Sequence, residues 1–370
     1  MNTQKITLPI EYWNSGRGWV ERSPDIISVD DIRTISVKYF RDVRFTGHSI
    51  HYPQPLLYSE GKLVLPTIEK FMSLGRGTVY EKDMWYSGDL LEVKKTFETP
   101  VFYFAYNMAN YYHFIYDTLP YLYTYFNEKK YFKDLKLLVS PPEGQTDLYP
   151  FVWDCLDLLG ISRDDIVFLD PETKYYTVVV GSSLTHDGLS NHRPHKGVFE
   201  VLNRMKGTYE RKEKIYVSRR SWMHSNTKNI GTNMTEARRC VNEDEVWELF
   251  KARGYEEVFC ENLSMEEKIG LFRGAKKVAG PIGGGMVNTI FSPPETQVIS
   301  INSPTFFDIN TRFEYSMSHT QLHHFNDTEF DGDAGGWVEG QGALSISGGL
   351  NSPWKVNLNT LSKFLEENDG

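Results

Sequence analysis

Cysteine is scarce in this sequence, and the pattern of the few cysteines excludes two kinds of protein. The 370 residues include three, Cys155, Cys240 and Cys260, with no Cys-x-x-Cys pair among them. A disulfide framework calls for an even number of cysteines, and a zinc site calls for closely spaced ones. We therefore expect a protein of a reducing compartment that has neither.

Excess positive charge and long apolar runs are missing too. The formal net charge is −9 and the pI about 5.6, which argues against a nucleic-acid partner. No run reaches the roughly 18 apolar residues of a membrane span. The first residues, Met1–Thr7, contain no apolar core of a signal peptide. We expect a cytoplasmic protein without a membrane span.

Several familiar motifs are absent as well. Gly283-Gly284-Gly285 lacks the Gly-x-Gly-x-x-Gly spacing of a dinucleotide site, and no Lys-Ser/Thr pair follows it as in a P-loop. The Gly-x-Ser-x-Gly motif of serine hydrolases does not occur. Aromatic residues, in contrast, are abundant at 14%. Their rings suit either core packing or stacking on sugars, and composition does not decide between the two.

From Val101 onward, short apolar strands alternate with helices. Predicted strands cover 101–105, 135–139, 166–169, 175–180, 215–217, 258–260, 278–279, 297–301 and 354–356. Predicted helices cover 148–159, 198–209 and 358–365, and two more start at the capping boxes Asn242–Glu245 and Ser264–Glu267. Such alternation predicts an α/β fold with parallel sheets. Residues 1–95 are strand-rich by the same criteria, at 26–29, 35–37 and 62–65.

The length and a charge-dense stretch, Lys206–Lys214, predict two domains and a tail. The first domain covers residues 1–205, a β-rich opening followed by α/β structure. The second, residues 206–320, is Rossmann-like and carries a polar insertion at 221–236. Residues 321–370 form a glycine-rich, acidic tail that ends in a strand and a helix.

A candidate anion site lies in the second domain. The strand at 278–279 leads into Gly283, Gly284 and Gly285, which open a helix at Met286, and the strand at 215–217 ends at Arg219 and Arg220. Glycine lets backbone N–H groups approach an anion, and a helix N-terminus adds partial positive charge. Arginine binds phosphate through two parallel hydrogen bonds. We infer a diphosphate site; a purely structural glycine turn is the alternative.

His113 and Asp117 form the second candidate site. They are four residues apart on a predicted helix that Pro120 kinks or restarts, so they share one helical face. Two interpretations fit this spacing equally well. The pair is either a buried histidine with a satisfying carboxylate, or a catalytic base whose tautomer the aspartate fixes.

Two further groups resemble metal sites less well. Asp331 and Asp333 have Asp-x-Asp spacing, but no apolar strand precedes them. His319, His323 and His324 have no carboxylate at helical spacing. We expect metal at neither group and a solvated segment around the histidines.

The segment Asn110–Pro120 resembles the Asn-x-x-His-(aromatic)-x-x-Asp-x-Leu-Pro signature of glycosyltransferase family 61. This family includes plant β-1,2-xylosyltransferases, animal O-linked N-acetylglucosaminyltransferases and bacterial capsule-biosynthesis enzymes. Further blocks match in order at 215–220, 238–246, 261–264, 269–272 and 280–288. The resemblance spans about residues 100–302.

This resemblance implies a GT-B fold of two Rossmann-like domains facing a cleft, with the acceptor side in the first domain. It implies an inverting transfer from a UDP-sugar to an oligosaccharide or lipid-linked glycan, without an essential metal or other cofactor. The expected setting is surface or capsular polysaccharide synthesis in the cytoplasm, with peripheral association at the inner membrane face.

The resemblance also assigns residues. His113 and Asp117 are expected to be catalytic. The expected donor-binding residues are Ser218, Arg219, Arg220, Glu261, Ser264, Gly283, Gly284, Gly285, Met286 and Asn288. Two features depart from the family: Ile282 stands where the family usually has histidine, and the insertion at 221–236 separates the two arginine blocks. Ile282 favours the alternative of a non-catalytic nucleotide-sugar or glycan-binding protein; a hydrolase or epimerase on the same scaffold is a third possibility.

Overall fold

The structure, a computed structural model, describes residues 3–7, 35, 37–48, 55–59, 62–63, 83–87, 90–142, 144–187, 190–191, 194–221, 239–304, 313–331 and 353–369. The chain divides into two compact units, Met1–Arg204 and Met205–Gly370. The strand predicted at 26–29 and nearly all of the predicted insertion lie outside the described residues. Among the described residues, no helix combines the length and the apolar composition needed to cross a bilayer.

The first unit is built around a mixed sheet. The strands of this unit are β1 (Thr3–Thr7), β2 (Val37–His48), β3 (Pro55–Ser59), β4 (Lys62–Leu63), β5 (Asp83–Ser87), β6 (Lys95–Phe97), β7 (Val101–Tyr103), β8 (Lys136–Val139), β9 (Ile166–Phe168), β10 (Thr173–Gly181), β11 (His186–Asp187) and β12 (Ser190–Asn191). Strands β1 and β5 form a separate two-stranded sheet, and so do β11 and β12. The main sheet has the order β4-β3-β2-β10-β7-β8-β9, and β6 also pairs with β10.

The parallel part of this sheet has a doubly wound order. Strands β7, β8, β9 and β10 pair in parallel, and in chain order they run 3-2-1-4 across the sheet. Ligands of such sheets bind at the carboxyl ends of the two strands where the order reverses. Here those strands are β7 and β10. Strand β2 pairs antiparallel with β10 and extends the sheet on the other side.

The helices of the first unit are mostly short. They are α1 (Tyr111–His113), a π-helical segment (Phe114–Thr118), a 3₁₀ turn (Leu119–Tyr121), α2 (Leu122–Glu128), α3 (Pro150–Leu158), a 3₁₀ turn (Arg163–Asp165) and α4 (Lys196–Leu202). The predicted break at Pro120 is confirmed, since this residue lies in the 3₁₀ turn. Helix α4 ends at Leu202 rather than at residue 209, and the carbonyl of Met205 instead accepts a hydrogen bond from Arg273 at 2.6 Å.

The second unit contains a five-stranded parallel sheet. Its strands are β13 (Lys214–Val217), β14 (Glu256–Val258), β15 (Lys277–Pro281), β16 (Gln297–Ile301) and β17 (Gln321–Phe325), and a small sheet holds β18 (Thr328–Phe330) and β19 (Trp354–Val356). The helices are α5 (Glu243–Lys251), α6 (Met265–Gly274), α7 (Leu358–Asn368), residues 313–317, and 3₁₀ segments at Cys260–Asn262 and Gly284–Phe291. The order β14-β13-β15-β16-β17 is 2-1-3-4-5 in chain order, which reverses between β13 and β15.

Two predicted helix starts have different outcomes. At α6 the capping box is confirmed, because Ser264 and Glu267 exchange side-chain to backbone hydrogen bonds of 2.8 and 3.2 Å. At α5 it is wrong. Asn242 makes no side-chain capping bond; its amide instead pairs with both backbone groups of Val356 at 2.9 Å. A tertiary contact thus displaces the local one.

The C-terminal elements belong to the second unit. Strand β17 pairs with β16 in the parallel sheet. The domain bounds predicted from the sequence place residues 321–370 in a separate tail. Trp354 and Leu361 are buried in one apolar cluster with Tyr216 and Phe250. Strand β18, in the stretch predicted to be a polar tail, pairs with β19. Burial of this apolar surface is what holds β19 and α7 against the sheet.

Candidate functional site

The first candidate site follows β7. Asn107 organises the chain there, because its side-chain Oδ1 accepts the N–H groups of Ala109 and Asn110 at 3.1 and 3.0 Å. Asn110 then caps α1 by accepting the His113 N–H. The Thr118 hydroxyl donates to the Asn107 carbonyl at 3.1 Å. These bonds fix both ends of the segment that carries His113.

His113 and Asp117 are in direct contact. The distance between His113 Nδ1 and Asp117 Oδ2 is 2.6 Å, across the start of the π-helical segment. Asp117 is fully buried, whereas the His113 side chain is 19% exposed. When Nδ1 carries the proton shared with the carboxylate, Nε2 is the basic ring nitrogen. The contact predicted from spacing is therefore present, and the histidine ring is partly accessible.

Thr185 completes this group, and sequence reasoning missed it. Its hydroxyl donates to the second carboxylate oxygen, Asp117 Oδ1, at 3.5 Å, and the residue is fully buried. Thr185 follows β10, and His113 follows β7, so the group lies where the strand order of this sheet reverses. The signal available from the sequence was the position of Thr185 just after a strand; only the strand order shows which strand ends meet.

The second candidate site lies in the second unit, where the strand order of the parallel sheet reverses, at the carboxyl ends of β13 and β15. The backbone at the end of β15 and just after it approaches the end of β13 so closely that side chains there would clash. A Cβ on Gly280 would lie 2.5 Å from the Val217 carbonyl oxygen, and one on Gly283 would lie 2.5 Å from Arg219 Nη1. Gly284 has open space around it and begins the 3₁₀ segment. The glycines thus bring the start of this helix against the end of β13.

Arg219 is held against the glycine turn. Its Nη1 donates to the carbonyl of Ile282 at 2.7 Å, and its backbone N–H donates to Glu243 Oε1 at 2.7 Å. Burial lowers the pKa of this guanidinium, and the nearby Glu243 carboxyl opposes that effect. The side chain of Ile282 is buried, so this residue offers the site a backbone carbonyl rather than the imidazole usual in the family.

Arg220 has a different environment. Its Nε and Nη2 donate to the two carboxylate oxygens of Glu257 at 2.9 and 2.8 Å, and its Nη1 donates to Asp244. Burial alone lowers the pKa of Arg220, but these bonds outweigh it and raise that pKa above its ordinary value. The two adjacent arginines therefore have separate partners, a distinction that their sequence does not indicate.

The other predicted donor-binding residues are only partly brought together. The Met286 N–H donates to the Gly283 carbonyl at 3.0 Å, and Asn288 Nδ2 donates to the Gly285 carbonyl at 2.8 Å, so both stabilise the turn itself. The buried Ser218 hydroxyl accepts the Arg220 N–H at 3.1 Å. Ser264 is engaged in the cap of α6.

Glu261 lies on the 3₁₀ turn after β14, and its charge acts on Arg219. Its carboxylate oxygen Oε1 is buried and has no hydrogen-bond partner among the described residues. A buried, unsatisfied oxygen of this kind is costly and calls for an explanation.

The histidine and aspartate groups that sequence reasoning set aside are dispersed. His319 Nε2 lies 3.0 Å from the Ser292 carbonyl oxygen, and burial lowers the pKa of its ring. His323 and His324 lie on β17, a strand of the parallel sheet, and both are partly exposed. Asp333 lies outside the described residues. Among those residues, no three His, Cys, Asp or Glu side chains are grouped to hold a metal ion.

Comparison with known proteins agrees with this geometry. A search of curated proteins gives no match to the chain. The model of the family described as Glycosyltransferase 61 matches residues 111–299, just over half of the chain. The match begins at α1 and ends in β16, so it includes both candidate sites. The chain belongs to glycosyltransferase family 61.

Proposed function

We propose that this protein is an inverting, metal-independent glycosyltransferase that moves a sugar from a UDP-sugar to a glycan acceptor. The observation that carries the proposal is the 2.6 Å contact between His113 and the buried Asp117 in a member of this family. A histidine oriented by a carboxylate is a common general base.

The proposed reaction is a single displacement. His113 Nε2 takes the proton of the acceptor hydroxyl, whose oxygen forms a bond to the anomeric carbon of the donor. The bond from that carbon to the diphosphate breaks on the opposite face, and UDP leaves with the electron pair. Asp117 holds the ring and stabilises the imidazolium that forms, and Thr185 orients the second oxygen of Asp117.

The departing diphosphate needs positive charge, and we assign it to Arg219 and the amides of the glycine turn. The first N–H groups of a helix have no partner within the helix, so those of Gly284 and Gly285 suit an anion. Arg220, in contrast, is neutralised by Glu257 and Asp244. We therefore assign diphosphate contact to Arg219 and a supporting role to Arg220.

Glu261 supports a nucleotide-sugar ligand at the same place. Its buried Oε1 atom lacks a donor among the described residues, and a hydroxyl group of a bound donor would supply one. We propose that Glu261 accepts a hydrogen bond from the donor substrate.

The wider setting also belongs to the proposal. We propose a GT-B arrangement of the two units, an oligosaccharide or lipid-linked acceptor, and a cytoplasmic role in surface or capsular polysaccharide synthesis. The acidic sequence and the family membership support these assignments.

A non-catalytic nucleotide-sugar binder is the second candidate function, and Ile282 favours it. If the family histidine takes part in catalysis, a buried isoleucine at that position abolishes the reaction while the fold and Arg219 are retained.

The test is an assay of UDP release and sugar transfer over a panel of UDP-sugars, with calorimetry of UDP binding alongside. His113→Ala is expected to slow transfer by about 10²- to 10⁴-fold, the usual contribution of a general base, and to leave UDP affinity unchanged. Tyr131→Ala, at a side chain that is 80% exposed, serves as the control in the same unit.

Three results would contradict the proposal. Undiminished transfer by His113→Ala would remove the assigned base. Tight UDP binding without turnover by the native protein would establish the binder. Release or inversion of the sugar without an acceptor would indicate a hydrolase or an epimerase.

A further inference from the structure

We propose that Glu243 is a positioning residue of the donor site, which holds Arg219 where it contacts the donor diphosphate. This inference rests on the proposed function, since it assumes that Arg219 binds the diphosphate.

The contacts of Glu243 point directly at Arg219. Its Oε1 accepts the Arg219 backbone N–H at 2.7 Å and the Tyr216 hydroxyl at 3.3 Å. Arg219 is thereby fixed at both ends, its backbone by Glu243 and its guanidinium by the Ile282 carbonyl. Without the backbone bond, Arg219, which lies two residues beyond the end of β13, loses one of these two anchors.

Stability alone gives a poor account of this carboxylate. Glu243 is fully buried, and its Oε2 atom has no hydrogen-bond partner among the described residues. Taking a carboxylate out of water costs free energy, and hydrogen bonds to only one of its two oxygens do not recover that cost. A residue that is unfavourable for the fold but in contact with a ligand-binding arginine is best explained by the placement of that arginine.

The surroundings allow Glu243 to be changed without moving its helix. The start of α5 is fixed independently by the two hydrogen bonds between Asn242 and Val356. Asp244, the next residue of α5, contacts Arg220 instead. Two acids of the first turn of α5, Glu243 and Asp244, thus contact Arg219 and Arg220 respectively.

The experiment is a double-mutant cycle on UDP binding, measured by calorimetry with the native protein, Glu243→Met, Arg219→Ala and the double variant. Methionine is similar in size to glutamate but has no oxygen that could accept the Arg219 N–H. Arg219→Ala is expected to weaken UDP binding by about 10- to 100-fold, the range for a lost hydrogen bond to a charged group. Glu243→Met is expected to weaken it about 10-fold in the native background and less than about 2-fold in the Arg219→Ala background.

Control measurements separate positioning from general damage. Glu248→Gln removes an exposed carboxylate of the same helix, which pairs with Lys251, and is expected to leave UDP affinity unchanged. Thermal unfolding checks that each variant is folded. If Glu243→Met does not fold, Glu243→Asp replaces it in the cycle, because it keeps the charge but withdraws it from the Arg219 N–H.

The outcomes distinguish this inference from the proposed function. A native protein that does not bind UDP contradicts the proposed function itself. A native protein that binds UDP, with either no effect of Glu243→Met or an equal effect in both backgrounds, overturns the positioning role and leaves the function standing.

Discussion

At the residue scale, the main feature is the buried acid Glu243 beside Arg219. Burial raises the pKa of Glu243 to about 7, although the Arg219 N–H and charge and the Arg220 charge oppose this. Tyr216 and Cys240 also lie near it, and burial raises their pKa values well above the ordinary ones. The carboxyl group therefore holds a proton more tightly in the folded chain than in the unfolded one.

This difference predicts a pH dependence of stability. A raised folded-state pKa stabilises the fold below pH 4.5, the ordinary value for glutamate, and this contribution is lost as the pH rises through about 7. Glu243→Gln does not titrate. We expect the variant to gain stability relative to the native protein between pH 5 and 8, by up to about 3 kcal/mol, since one pKa unit corresponds to about 1.4 kcal/mol.

The measurement is urea unfolding of both proteins at several pH values. Parallel profiles would show that Glu243 titrates normally. A variant that is less stable than the native protein at pH 8 would contradict the cost in stability assigned to the buried acid.

At the element scale, the junction of β13 and β15 depends on two glycines with different neighbours. Gly280→Ala forces a Cβ onto the backbone of Val217, which cannot move without breaking the pairing of the two strands. Gly283→Ala meets only the end of the Arg219 side chain, which can swing away.

We therefore expect different effects from these two substitutions, one on stability and the other on UDP binding. Gly280→Ala is expected to lower the free energy of unfolding by about 1–3 kcal/mol, as overpacking does. Gly283→Ala is expected to change stability little and to weaken UDP binding by displacing Arg219. Denaturant unfolding and calorimetry on both variants check this, and equal losses of stability would contradict it.

The C-terminal helix supplies a second prediction at this scale. Asp369 is 1% exposed and contacts Lys277 Nζ of β15 at 2.9 Å, and the Tyr255 hydroxyl donates to the same carboxylate oxygen at 2.8 Å. Removal of one partner of a buried ion pair costs about 3–5 kcal/mol. We expect Asp369→Ala to destabilise the protein by about 3 kcal/mol in urea unfolding.

The neighbouring pair of Lys276 and Glu213 is the matched control. Both side chains are more than 60% exposed, so Glu213→Gln is expected to leave the free energy of unfolding nearly unchanged. Similar losses for the two variants would show that Asp369 does not anchor the C-terminus.

At the scale of the whole molecule, the proposal makes transfer independent of a divalent metal. Arg219 and the N-terminus of the 3₁₀ segment supply positive charge of the kind that a metal ion provides in other enzymes. We expect sugar transfer to continue in excess EDTA, and Asp331→Asn with Asp333→Asn to leave turnover nearly unchanged. Complete loss of transfer in EDTA, restored by manganese, would show that the diphosphate site is assigned wrongly.

Much of the fold could be predicted from the sequence because its signals are local. The alternation of apolar strands with helices gave the α/β class, and β16 has the predicted bounds. The spacing of His113 and Asp117 placed them in contact because residues four apart meet on a helix. The capping box at Ser264 involves only its own helix.

The tertiary structure decided what depends on neighbours distant in the chain. The orders 3-2-1-4 and 2-1-3-4-5 determine which strand ends meet, and so bring Thr185 to Asp117 and the glycine turn to Arg219. Asn242 was predicted to be a helix cap, but Val356 offers it two backbone groups. The sequence presents Arg219 and Arg220 as equivalent. Only the fold places Glu257 and Asp244 against one of them and leaves the other at the glycine turn, because hydrogen bonds and ion pairs form between whichever groups the packed chain brings within reach.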